Sequence, residues 1–177
     1  MAKVRCVTTG QTSGGKSVFV RDDRVEPVTL AALPGYEFHR LWGSDSVVQL
    51  PSDGTAPAQP AYFPPANGFR FAFFSVPPGG RRSAEPIDPA AALAEMEKKL
   101  PGLPAVMEPA NPGMHTTDTV DFDVIVSGEI VLELDDGAEV TLKAGDCVVQ
   151  NGTRHRWSNR SSAPCVIAVC LVGAKRS

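Results

Sequence analysis

The chain of 177 residues contains three histidines, His39, His115 and His155, and two of them sit in polar patterns able to do chemistry. His115, Thr117, Thr119, Asp121 and Asp123 share one parity, so on a strand their side chains face one side. His155 and Trp157 share a face in the same way. Polar residues repeating at that spacing, between apolar neighbours, make sense where the face lines a polar pocket inside a barrel. Thr117 and Thr119 would offer such a pocket neutral hydroxyls for a substrate. Asp123 is a candidate general acid or base if burial raises its pKa; a solvated carboxylate at the barrel mouth is the competing reading. Trp157 either stacks on a substrate or packs in the core. His39, among Phe38, Leu41 and Trp42, reads as a packed histidine outside the site. Arg154 and Arg156 have the opposite parity from His155 and are expected to face outward.

The elements that must position these groups are mostly strands. Val4 to Thr9, the turn Gly10 to Gly15 and Ser17 to Val20 read as a peripheral hairpin. Tyr36 to Trp42 and Gly68 to Val76 are further strand candidates. Between them, Pro51 to Asn67 is rich in proline and reads as a long surface loop or arm. One helix is expected over 88–101: Asp88 caps it, Pro89 suits the first turn, and Pro101-Gly102 stops it. It could be a lid over the barrel mouth or an ordinary helix packed outside, and its sequence does not choose. From Thr119 to Val172 the chain alternates short β-type runs with tight turns such as Asp135-Asp-Gly137, the mark of an antiparallel barrel or sandwich.

Gly10-Gln-Thr-Ser-Gly-Gly-Lys-Ser17 satisfies the spacing of a phosphate-binding loop. Such a loop works because backbone amides and a following helix N-terminus face the phosphates. Here Val18-Phe-Val-Arg follows, β-branched and alternating, so a Gly-rich hairpin turn is the better reading.

Composition bounds the rest. A net charge of -3 with 21% charged residues leaves no basic stripe for nucleic acid and favours a small ligand. Cys6, Cys147, Cys165 and Cys170 form no C-x-x-C pair, and no apolar signal run follows the start, so free thiols and a cytoplasmic location are expected. The longest apolar run, Cys165 to Val172, falls far short of the roughly 20 residues needed to cross a bilayer and reads as a buried strand.

Pro112-Gly-Met-His-Thr-Thr-Asp-Thr-Val-Asp-Phe-Asp-Val-Ile-Val-Ser-Gly128 resembles the first sequence motif of the cupins, in which a glycine leads to His-x-His, then Glu, then Gly. Counting back from Gly128 places Asp121 at the glutamate, Thr117 at the second histidine and His115 at the first. Gly145-Asp-Cys-Val-Val-Gln-Asn-Gly-Thr-Arg-His-Arg-Trp-Ser-Asn159 resembles the second motif, one residue short, with Asn151 where proline is usual. The resemblance covers about Gly113 to Val172. It implies a divalent metal, Fe, Zn, Mn or Ni, held by His115, Asp121 and His155, two imidazoles and a carboxylate with open positions. The competing arrangement has both histidines hydrogen-bonded to Asp121, Thr117 and a ligand, without metal.

The sequence is therefore read as a single domain, 1–177. It is a mainly β, antiparallel jelly-roll barrel (the cupin double-stranded β-helix) with N-terminal strands and a Pro-rich arm (1–87), one short helix (88–101) and core motifs (112–172). The N-terminal strands are expected to decorate the barrel and help form a homodimer. The resemblance implies a metal-dependent enzyme on a small carboxylate or aromatic-type substrate, of dioxygenase, decarboxylase, isomerase or lyase class. The alternative is a non-catalytic small-molecule-binding or sensing cupin. Neither nucleic acid nor membrane is expected as a partner.

Overall fold

A computed structural model describes residues 3–80 and 87–177. Residues 1, 2 and 81–86, parts of the segment read as N-terminal strands and arm, lie outside the described residues. The elements run β1 (Arg5–Gln11), β2 (Ser17–Arg24), β3 (Val28–Leu30), β4 (Leu33–Ser44), β5 (Phe69–Val76), α1 (Pro89–Lys99), α2 (Leu103–Val106) and β6 (Thr119–Ser127). There follow β7 (Glu129–Glu133), β8 (Glu139–Lys143), β9 (Cys147–Asn151), β10 (Arg156–Ser158) and β11 (Cys165–Gly173). Every pairing is antiparallel.

Two sheets make the jelly roll, a six-stranded one ordered β3-β4-β5-β11-β6-β9 and a three-stranded one ordered β10-β7-β8. β1 and β2 form a separate hairpin, whose turn contains the phosphate-loop look-alike; Ser17 already begins β2, so no helix follows it. The strands after the hairpin do not decorate the barrel. β5 pairs with β11 over eight residues, from Cys165 opposite Val76 to Val172 opposite Phe69, and β4 pairs with β5. The physical reason is that β11 is apolar on both faces and needs a strand on each edge, which β6 alone cannot supply.

Ile125, Ile130, Leu132, Leu142 and Ile167 pack between the sheets at one end of the barrel. Gly128 is required at the β6–β7 corner: its φ is 81°, and a Cβ there would lie 2.6 Å from the Pro164 carbonyl oxygen. α1 begins at an Asp88 cap, whose carboxylate accepts from the Ala90 amide at 3.2 Å. Leu100 and Leu103, just beyond it, pack with Leu30 as a second cluster over the other end.

The Pro-rich segment is not a free arm. Arg40 donates to the carbonyls of Gln59 (2.7 Å) and Ala61 (3.1 Å), and buried Arg70 donates to those of Ala61, Ser44 and Phe69 and pairs with Asp45. The Tyr62 amide donates to Pro101 O at 2.8 Å. Prolines cannot fill a ladder, so side chains from neighbouring strands and the helix region hold this chain against the barrel.

Candidate functional site

A cavity of about 230 Å³ lies between the sheets. His115, Thr117, Asp121, Asp123, His155 and Trp157 all line it, which brings together six of the seven residues singled out from sequence. Thr119 is the exception: it is buried, but its hydroxyl donates to Thr117 Oγ1 at 2.8 Å and it lines a separate shallow cleft with Asp118. It supports Thr117 from behind, because the chain before β6 has left strand geometry and shared parity no longer means a shared cavity wall.

His115 and His155 form an isolated antiparallel bridge, each amide donating to the other's carbonyl at 3.0 and 2.9 Å, with ring centroids 4.1 Å apart. The Nδ1–H of His115 donates to Gly113 O at 3.0 Å, and that of His155 to Thr153 O at 2.9 Å. That fixes the neutral tautomer, leaving both Nε2 atoms as acceptors. Burial lowers the pKa of His115, and burial with the neighbouring His115 pushes His155 down to about 4.

Asp121 and Asp123 reach the cavity from β6. Burial pushes Asp121 up to about 6, the Thr119 hydroxyl offsetting part of the effect, and burial together with Asp121 pushes Asp123 up to about 7. Asp121 Oδ1 is buried without a hydrogen-bond partner.

The remaining walls are apolar, and sequence reasoning missed most of them. Tyr36 and Phe38 come from β4 and Phe74 from β5, while Tyr62 and Phe63 come from the Pro-rich segment and Met96 and Leu103 from the helices. Tyr62 stacks edge-on against Phe63 at 4.9 Å and Phe38 at 6.1 Å; Trp157 meets His155 and Phe74 edge-on at 6.0 and 6.3 Å. Trp157 is thus both packed and in the cavity wall. Met96 of α1 and Leu103 of α2 line the cavity, so the helix region forms part of its wall. The aromatic pair Tyr62-Phe63 amid prolines was the one available signal that this segment packs inward.

His39 lies outside the cavity, buried, with Nδ1 donating to Val25 O at 2.9 Å. Arg154 and Arg156 point away from it as their parity suggested, to Glu108 and Asp135, and to Glu133. A wider cleft of about 400 Å³ shares Leu33, Tyr36, Gly113 and Trp157 with the cavity and forms its mouth.

The donor set was tested against a divalent metal. The two Nε2 atoms, each with its Nδ1 anchored on a carbonyl, suit ligation. The carboxylate does not join them: among the described residues no group of three His, Cys, Asp or Glu side chains has metal-binding spacing. The expected set of His115, Asp121 and His155 is therefore not assembled. Asp121, the third residue of β6, pairs in register with Gln150 and Leu171, whereas the histidines bridge each other ahead of that strand. Two imidazoles alone do not fit a resident ion of the kind implied.

Residues 105–172 match the cupin domain family. Among curated proteins, a segment is 52% identical over 48 residues to phomopsin biosynthesis cluster protein C′ of Diaporthe leptostromiformis, covering 27% of this chain and 25% of that protein. Another match is 48% identical over 50 residues to oryzines biosynthesis cluster protein J of Aspergillus oryzae, 28% of each chain. A cupin-domain-containing oxidoreductase of Neurospora crassa is 39% identical over 46 residues, 26% of this chain and 24% of that one. The matches span about a quarter of the length of these curated relatives. Among solved structures, a sugar phosphate isomerase from the cupin superfamily of Silicibacter pomeroyi aligns with a TM-score of 0.44 at 19% identity, over 83% of this chain and 63% of that one. No helix among the described residues is long and apolar enough to cross a membrane. The match over residues 105–172 coincides with the two sequence motifs and falls within an antiparallel, mainly β fold of the kind a cupin domain adopts.

Proposed function

We propose that this cupin is an enzyme that moves a proton on a small organic molecule held in the cavity, with Asp123 as the general acid or base. The observation that carries this reading is a buried carboxyl near neutrality, beside a second carboxyl, in a cavity that also holds two neutral imidazoles. A proton-transfer group works best when its pKa lies near the working pH, and Asp123 meets that condition where His155 does not. His115 Nε2 and His155 Nε2 accept hydrogen bonds from the ligand and orient it, Thr117 adds a hydroxyl, and Trp157 offers a ring face. Such chemistry is redox-neutral and belongs with the isomerase and lyase classes. The aromatic walls exclude water, which strengthens each of these contacts.

The test is solvent deuterium exchange. The protein is incubated in deuterated buffer with a panel of small aryl-substituted carbonyl compounds and amines, and incorporation next to the functional group is followed by NMR. Exchange on at least one compound, slowed about 10²–10⁴-fold by Asp123→Asn, is expected. Exchange that survives this substitution would remove Asp123 from its role. Ligand binding without exchange anywhere in the panel would favour the second reading, a non-catalytic binding cupin, which the unassembled metal set also supports.

For partners, we propose a second copy of this chain on the outer face of the six-stranded sheet. One row across four strands there reads Val149, Phe122, Cys170 and Phe71, with Val124, Val126 and Val172 around it. These apolar residues other than Cys170 are 37–55% exposed. Together they present on the order of 400 Å² of contiguous apolar surface, about half of what each partner buries in a stable dimer, so a polar rim completes it.

A further inference from the structure

The cavity is rich in hydrogen-bond acceptors, and among the described residues it is lined by no cation. His115 Nε2 and His155 Nε2 have lone pairs and no proton to give, and Asp121 Oδ1 is buried with no hydrogen-bond partner. Asp123 lies beside Asp121. Among the described residues, no lysine or arginine lines the walls. Arg40 and Arg70 share the inward parity of their strands, and Arg70 stands in the same row as Asp121 through Leu171. Both guanidinium groups are nevertheless turned to the carbonyls of the 44–61 segment, and Arg70 also to Asp45. At the mouth, Arg156 and Arg160 are paired with Glu133 and Glu139. Two buried carboxyls without a counter-ion, enclosed by aromatic faces, leave one charge type to be supplied from outside.

We propose that the ligand of this cavity is an organic cation, a protonated amine whose apolar body lies against Phe38, Tyr62, Phe74 and Trp157. This rests on the cavity being a ligand site, as argued above, and names the class of ligand. The ammonium donates its N–H groups to Asp121 and Asp123, and ring faces attract it further. The volume, the share of about eight waters in the liquid, limits the ligand to about ten non-hydrogen atoms. Carboxylate substrates are disfavoured, since a third negative charge would meet two carboxyls and no cation.

Isothermal titration calorimetry with three probes of one size, 2-phenylethylamine, 2-phenylethanol and phenylacetate, separates the charge types. The amine is expected to bind about ten-fold tighter than the alcohol or more, with phenylacetate weakest. Asp121→Asn should bring amine and alcohol within about three-fold of each other while leaving the alcohol unchanged. The amine's affinity should rise from pH 5 to pH 8 as Asp121 and Asp123 ionise, with proton release on binding, and the alcohol's should stay flat. The other titrating groups facing the site, His115, His155, Tyr36 and Tyr62, stay neutral over most of that range, because burial lowers the histidines and raises the tyrosines. Alcohol or phenylacetate binding as tightly as the amine would overturn the cation while leaving the ligand site intact. No binding by any of the three at millimolar concentration would overturn both.

Discussion

Over the first half of β6, the inner and outer faces of the six-stranded sheet reverse the usual placing of polar and apolar groups. Along β6 the inward Thr119, Asp121 and Asp123 are buried, while the outward Phe122, Val124 and Val126 are exposed. Burying a carboxyl costs free energy unless it is paired, and exposing a row of large apolar side chains forgoes their burial. A strand that does both fits the two proposed roles, a ligand inside and a second copy outside, at the expense of the isolated chain. The far end of the same strand behaves ordinarily, with Ile125 packed among Ile130, Leu132 and Ile167. The contrast separates the part of the inner face that packs the barrel from the part to which the proposed chemistry is assigned.

The largest effect should come from the packing end. Ile167→Ala, at a fully buried site, should lower stability by about 2–5 kcal/mol in chemical denaturation. A loss below about 1 kcal/mol would mean that this end is not the structural core.

Next in size is the pH dependence of the chemical end, where two effects oppose each other. The raised folded pKa values of Asp121 and Asp123, about 6 and about 7, give stability that is fully present below their unfolded value of about 3.9 and lost as pH rises through 6–7. The lowered folded pKa values of His115 and His155 act the other way. Their stability is present above the unfolded value of about 6.5 and lost as pH falls, for His155 down to about 4. Asp123→Asn should therefore make stability climb more steeply between pH 4 and pH 7, whereas His155→Gln should make it fall over that window. Unchanged profiles in both variants would show that these groups are solvated rather than buried.

On the outer face a charge should cost the fold little and the assembly much. Phe122→Lys should change the stability of the single chain by about 0.5 kcal/mol or less, yet shift the mass seen by light scattering from two chains to one. A parent protein that is already monomeric would remove the second copy from this face. The smallest expected effect is on metal content: protein grown in metal-supplemented medium should carry far less than one ion per chain, with His155→Ala no different. A stoichiometric ion lost in that variant would restore the three-ligand arrangement that the geometry disfavours.

Much of the site was legible from parity alone. A period of two puts Asp121 and Asp123 on one face of β6, whereas His115 and Thr117 reach the same cavity from the irregular backbone ahead of that strand, and Thr119 does not line it. The α1 cap and stop were equally local, since Asp88, Pro89 and Pro101-Gly102 act on their own backbone. The aromatic wall was not legible, because Tyr62 and Phe63 are placed by Arg40, Arg70 and the Pro101 carbonyl, partners distant in sequence.

The sequence by itself determined the β architecture, the turns, the helix and the list of polar groups on one strand face, because these follow from local periodicity and backbone preference. Only the tertiary structure decided that β4 and β5 complete the main sheet and that the Pro-rich segment walls the cavity. It also decided that His115, Asp121 and His155 line one cavity without forming a metal-binding group, and that no cation lines it among the described residues. Those outcomes depend on contacts between residues far apart in the chain, and on the burial that tertiary packing alone creates.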